Sequence, residues 1–204
     1  MGIVERKERQ KSEMRAGILT AAWQLVMDSG WQSLSIRKIA DSIEYSVPVV
    51  YEYFENKEAI LLEFTRLGYA LLAEKLKLAK AAHPDPAAQL EAMAYAYWDF
   101  AFGNKEYYQV MFGLGMPNCE QAKTMPELSE FSREIESSIQ QIAENTHQEI
   151  NTFLKVRSFW SMIHGLVSIN MVAPESGQGG IHRDELNNMV LKDFITGFIK
   201  GLQN

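Results

Sequence analysis

Apolar residues recur through most of this chain at intervals of three and four, the spacing of one face of an α-helix, with no strand-like alternation. From Ser12 to Asp28 the stripe is Ile18, Ala22, Leu25 and Val26, and Gly30 follows where a helix end favours positive φ. A shorter stripe, Ile36, Ile39, Ala40 and Ile43, begins after Ser35, whose hydroxyl suits an N-cap. Beyond Glu44-Tyr45, Ser46 can cap a second short helix, with Pro48 in its first turn and Val50 and Phe54 facing inward. Lys57 opens a long helix to about Lys80, striped by Ile60, Phe64, Leu67, Leu71 and Leu78. His83-Pro84-Asp85-Pro86 breaks it, and Asp85 as N-cap with Pro86 behind it starts another, running to Phe102 and stopped by Gly103. Asn104 is placed to cap the short helix of YYQVMFG. Thr124-x-x-Glu127 and Thr146-x-x-Glu149 read as capping boxes for two further helices. The second of these, over 147–172, is apolar nearly all round, which predicts burial on more than one side. A loop at 173–183 precedes a last helix capped by Asp184, with Leu186, Val190, Phe194 and Phe198 on one face. The pattern predicts an all-α fold of about nine helices.

Within that series, Ser35–Lys57 holds two short helices joined by a tight turn, the second carrying an outward row. That describes a DNA-reading helix-turn-helix. Ser35 and Tyr51 can donate to phosphates, and Lys57 adds a cation at a helix start. Val47, Pro48 and Val49 bring no hydrogen-bonding side chain, so in a major groove they can press only on thymine methyls. The expected operator is therefore read through those contacts, Tyr53 and Arg37, with DNA shape supplying much of the rest. VERKERQK at 4–11 reads either as a frayed helix start or as a basic arm reaching phosphates or the minor groove.

The runs ILTAAWQLVMDSG, LSIRKIADSI and SVPVVYEYFENKEAILLEF resemble the N-terminal domain of the TetR family of transcriptional regulators. In the body, YYQVMFG and Trp160-x-x-x-His164-Gly165 are similar to a C-terminal domain type of that family, named for its Trp-His-Gly signature. The resemblance implies DNA contacts at the positions of Val47, Pro48, Val49, Tyr51, Tyr53 and Lys57; Ser35, Arg37 and the cap Ser46 complete the expected set. Glu44 stands where the family usually has Gly in the turn, and Glu52 brings a carboxylate towards DNA.

The resemblance also implies an effector pocket among the large side chains of the body. Its expected lining is Phe64, Leu67, Tyr97, Trp98, Phe102, Tyr108, Met111, Phe112, Arg157, Trp160 and His164. So many aromatic groups suit an apolar or aromatic, weakly acidic small molecule, although each one singly also suits core packing. Arg157 and His164 read as a buried satisfied pair or as a polar anchor. Family members dimerise through their last two helices, which here implies an interface of Leu186, Val190, Phe194, Gly197 and Phe198.

Charge sharpens the division of labour. Residues 1–57 hold eight Lys/Arg and eight Asp/Glu, so the remainder carries the whole formal net charge of −6. A neutral head has a weak non-specific pull on DNA, which favours two heads per complex. The expected domains are a DNA-binding head, 1–57, and a ligand-binding and dimerisation body, 58–204. Cys119 is the sole cysteine and the N-terminus is polar, which with the absence of a long apolar span predicts a cytoplasmic protein without a membrane segment. His83, His147, His164 and His182 show no metal-ligand spacing, and no phosphate loop or nucleophile elbow is present, so no cofactor and no enzyme activity are expected. The function expected is a homodimeric, ligand-responsive repressor on a palindromic double-stranded DNA operator. The alternative is a dimeric ligand-binding or adaptor protein with weakened operator affinity.

Overall fold

In the computed structural model, residues 2–113, 125–172 and 183–203 are described. They form α1 (Ile3–Ser29), α2 (Ile36–Ser42), α3 (Val47–Tyr51), α4 (Lys57–Ala81), α5 (Pro86–Gly103), α6 (Lys105–Phe112), α7 (Pro126–Thr146), α8 (Thr152–Val172) and α9 (Arg183–Gln203), with one 3-10 turn at Trp31–Ser33. No strand occurs among the described residues. Thr124, Cys119 and the loop at 173–182 lie outside them.

Two compact units divide the chain, one of Met1–Gly68 with Glu106–Lys123, the other of Tyr69–Lys105 with Thr124–Asn204. The first is built on a core of Ile18, Ala22 and Val26 from α1, Ile36, Ile39 and Ala40 from α2, Val50, Phe54, Ile60 and Phe64, with Val110 of α6 joining them. Each contributing helix places its apolar residues three or four apart, so one stripe per helix closes on a shared interior. Gly30 ends α1 at φ 73°, and the Ser35 hydroxyl accepts from Lys38 N–H at 3.3 Å to start α2. Ser46 precedes α3 without a side-chain cap bond, and Asn56 caps α4 by accepting from Ala59 N–H at 2.8 Å. The sequence pattern overlooked that Asn56 cap.

α1 begins at Ile3, nine residues before the expected start at Ser12, because residues 4–13 are helical yet exposed and leave no hydrophobic stripe. The basic arm is therefore a helix. In α4, Leu72 and Leu76 are buried while Leu78 is exposed, so the stripe passes through the alternative leucines of LLAEKLKL.

In the second unit Asp85 caps α5 as expected, accepting from Ala88 N–H at 2.8 Å. Leu90, Met93, Tyr97 and Phe100 of α5 pack with Phe131, Ile135 and Ile139 of α7, Phe159, Ile163 and Val167 of α8, and Leu191 and Ile195 of α9. Ser138 donates to Gln89 at 2.8 Å, and Lys80 pairs with Glu134 at 3.1 Å. Two capping expectations are corrected. Asn104 serves the end of α5, its amide donating to Phe100 O at 3.1 Å. Thr146 closes α7, its hydroxyl donating to Ile142 O at 2.9 Å, and Asn151 caps α8 by accepting from Leu154 N–H at 3.0 Å. Between them His147 turns to φ 56°, which ends one helix before the next can start.

Candidate functional site

The head presents two short helices whose inward faces are fully engaged. Ile39 and Val50 have no exposure and Phe54 only 3%. Outward stand Arg37, Ser46, Pro48 and Tyr51, all exposed, while Ser35, Val49 and Lys57 are half-buried. Val47 and Tyr53 also lie half-buried, packed against the head core, so the outward row is narrower than its sequence suggests. The turn holds its shape through Tyr45 N–H donating to Ala40 O and Glu44 N–H to Asp41 O, with Glu44 at φ 60°. That is a Schellman ending in which Glu44 occupies the position glycine prefers.

Behind the reading helices, α1 is fastened to α4 by a charged fork. Arg15 binds Glu63 through both terminal nitrogens, at 3.4 and 2.9 Å, and Arg66 reaches the same carboxylate at 2.8 Å. The Arg15 guanidinium also lies 4.8 Å from the Phe54 ring centre. Burial alone would raise the Glu63 pKa; the hydrogen bonds from Arg66 and Arg15, with their charges, outweigh it and hold the carboxyl below its ordinary value.

An aromatic cluster missed by the sequence reading ties α6 into the same unit. Trp23 stacks on Tyr107 at 4.3 Å, Trp31 meets Phe64 edge-on at 5.5 Å, and Trp31 Nε1–H donates to Glu106 O at 2.9 Å. α4 and α6 approach closely at Gly68, where a Cβ would stand 2.6 Å from Met111 Sδ. The expected effector residues thus divide: Phe64, Leu67, Tyr108, Met111 and Phe112 belong to the first unit, and Tyr97, Trp98, Phe102, Arg157, Trp160 and His164 to the second. Phe64 is a head-core residue, 2% exposed.

In the second unit three of the expected groups converge. Trp160 Nε1–H donates to the Tyr97 hydroxyl at 3.3 Å, and that hydroxyl lies 3.2 Å from His164 Nδ1. Ser168 Oγ is 3.4 Å from His164 Nε2, and Phe131 stands edge-on to Trp160 at 5.7 Å. Desolvation pushes the His164 pKa down, so the imidazole is neutral at pH 7. Arg157 does not join it as a buried partner; it is exposed, its guanidinium 5.7 Å from the Trp160 ring centre. A guanidinium there keeps its hydration, which burial would have removed. Trp98 and Phe102 contact each other at 4.6 Å, with Phe102 exposed.

α8 buries Phe159, Ile163 and Val167, and Trp160 and His164 are half-buried against Tyr97 and Phe131. Leu154, Met162 and Ile169 are 58, 54 and 68% exposed, so a third, apolar side of α8 stays uncovered in the single chain. On α9, Leu186, Met189 and Val190 are exposed with Gly197, whereas Phe194 and Phe198 turn inward onto Phe159 at 6.1 and 5.3 Å. Asn187 donates to Asn170 at 2.8 Å and fixes α9 against α8.

Residues 18–64 match the family described as bacterial regulatory proteins, tetR family, and residues 90–193 match the tetracyclin repressor-like C-terminal domain. The chain belongs to the TetR family. It is a transcriptional regulator with a helix-turn-helix domain, as the ordered motifs of its first third imply. Among curated relatives, the HTH-type transcriptional activator FasR of Mycolicibacterium smegmatis is 26% identical over 102 residues, 50% of this chain and 47% of FasR. The match therefore spans about half the length of that relative. Among solved structures, FadR of Bacillus subtilis in complex with stearoyl-CoA shares 17% identity at a TM-score of 0.67, covering 89% of this chain and 98% of FadR. PfmR of Thermus thermophilus shares 19% at 0.63, covering 92% and 99%. Both show the TetR fold. In this TetR-family chain no three His, Cys, Asp or Glu side chains gather as a metal site among the described residues, and none of their helices is long and apolar enough to cross a membrane.

Proposed function

We propose that the protein is a homodimeric, cytoplasmic, ligand-responsive repressor that binds a palindromic operator and is released by a small apolar or aromatic effector. Residues 1–57 read DNA in this scheme, and residues 58–204 bind the effector and dimerise. The observation that carries it is the capped head, closed inward by Ile39, Val50 and Phe54 and offering Arg37, Pro48 and Tyr51 outward. Pro48 supports thymine-methyl contact, and Arg37 and Tyr51 support phosphate or base-edge bonds.

Dimerisation is supported by the exposed Leu154, Met162 and Ile169 of α8 beside Leu186, Val190 and Gly197 of α9, apolar surface of the kind that isologous interfaces cover. Two-fold symmetry then makes the operator palindromic. Tyr97, Trp160 and His164 are the proposed effector anchors. Hydroxyl, indole N–H and neutral imidazole favour an uncharged hydrogen-bonding head on an apolar molecule. Acyl-chain compounds, the class of the stearoyl-CoA bound by FadR, are the first to screen.

A mobility-shift assay on the duplex upstream of its own coding sequence tests the DNA reading, with Arg37→Ala and Tyr51→Ala expected to weaken binding. A reporter fused to that duplex tests the sign. Rising transcription on deletion of the protein is expected; a fall would make it an activator, as FasR is.

A further inference from the structure

The early turns of α1 carry charge that the helix-turn-helix does not account for. Lys7, Gln10, Lys11 and Met14 form one wall of a groove of about 410 Å³, and Glu52 and Tyr53, just beyond α3, form the other. Lys7 and Lys11 are exposed, and neither takes part in a salt bridge among the described residues. One helical turn separates them, a rise of about 6 Å.

The wall is held in place. Met14 packs against the head core, the neighbouring Arg15 is forked onto Glu63 at 2.9 Å, and the same guanidinium lies over Phe54, next in sequence to Tyr53. The basic side of α1 is thus registered against the end of the reading helix. Its helical form decides what it can touch. A helix with side chains is about 10–12 Å across and cannot enter a minor groove about 6 Å wide. It can lie along the groove edge, where the phosphates are.

We infer that Lys7, Gln10 and Lys11 form a seat for the sugar-phosphate backbone of double-stranded DNA, continuous with the reading surface of α3. This rests on the DNA-binding reading above. Each lysine supplies a point charge to a phosphate, and the Gln10 amide supplies neutral donors. Glu52, on the opposite wall, repels the same phosphates. The lysines overcome that repulsion and give a formally neutral head its local hold on DNA.

The test is equilibrium binding of the full-length protein across a salt series, to the upstream duplex and to an unrelated duplex of equal length. Lys7→Ala/Lys11→Ala is expected to weaken both by a similar factor, about tenfold or more near 0.1 M salt. The slope of log K against log salt should shrink by about 0.9 per lost phosphate contact, hence by about 3–4 for a dimer. Glu52→Gln is expected to tighten both, and the exposed pair Lys77→Ala/Lys105→Ala to change neither. Thermal midpoints of all variants should match wild type, since these groups are exposed. An unchanged slope in K7A/K11A, with wild type binding normally, overturns the seat alone. Weakening confined to the upstream duplex overturns it too, since phosphates carry no sequence. Failure of the wild-type protein to bind either duplex overturns the DNA reading and the seat together.

Discussion

At Glu44 a residue with a Cβ is held at φ 60°, where L-residues lose about 1–2 kcal/mol relative to the right-handed region. The bonds from Tyr45 N–H and Glu44 N–H force that conformation whatever the side chain. Glu44→Gly should therefore stabilise the protein by about 0.5–1 kcal/mol once glycine's greater unfolded-state freedom is subtracted, raising the denaturant midpoint with an unchanged slope. Glu63 is the opposite case, a charged group whose environment suits it. Its folded pKa lies below the unfolded one, so its contribution is fully present above the ordinary carboxylate value, near 4.3, and is lost as pH falls through the folded value. Glu63→Gln should cost about 1–3 kcal/mol at pH 7, and its stability should fall less steeply than wild type between about pH 5 and pH 3, as read by chemical denaturation. At this scale Ser35, Gly30 and Asp85 were legible, because a cap depends on residues within one turn. Trp23 and Trp31 were not, because their partners Tyr107 and Glu106 lie more than 70 residues away.

At the scale of the element, α8 is the informative case. Its sequence is apolar nearly all round; one copy covers the sides of Phe159, Ile163 and Val167 and of Trp160 and His164, yet leaves Leu154, Met162 and Ile169 exposed. Periodicity reports how much apolar surface a helix has and says nothing about whose atoms cover it. The same limit hid the packing of Phe194 and Phe198 on Phe159 of their own chain, where both stay half-buried. It also hid the helical start of α1, where no apolar stripe exists to be read. The Thr146-x-x-Glu149 pattern misplaced a boundary because a threonine can bond back to its own helix as readily as open the next. The exposed α8 and α9 residues make a sharp prediction. Ile169→Glu would place two unpaired carboxylates in an isologous contact. The dimer constant should weaken at least a hundredfold, seen as monomer by sedimentation at micromolar concentration. DNA affinity should fall with it, because a neutral head alone has little hold on a duplex. A dimeric I169E would remove this face from the interface.

For the whole molecule, regulation requires the effector to distinguish two states, since a ligand of equal affinity for both shifts nothing. α4 begins in the unit that holds the reading helices and ends in the unit that holds Tyr97, Trp160 and His164, so a single helix belongs to both. α6 is grouped with the head, through the Trp23–Tyr107 stack and the Trp31–Glu106 bond, although the helices flanking it in sequence belong to the other unit. The chain therefore crosses from one compact unit to the other within α4 and returns to the first at α6. If the effector moves a DNA-competent population from 99:1 to 1:99, it must bind the other state about 10⁴-fold more tightly. Linkage makes that factor reciprocal, so saturating upstream duplex should weaken effector binding by the same ratio by which effector weakens DNA binding. Titration calorimetry of an identified effector, with and without the duplex, measures both sides. Tyr97→Phe, which removes the hydroxyl between Trp160 and His164, should lower effector affinity about tenfold while leaving operator binding of the free protein unchanged. Equal loss of both would make Tyr97 a packing residue of the second unit, and the effector anchors would have to lie elsewhere in the body.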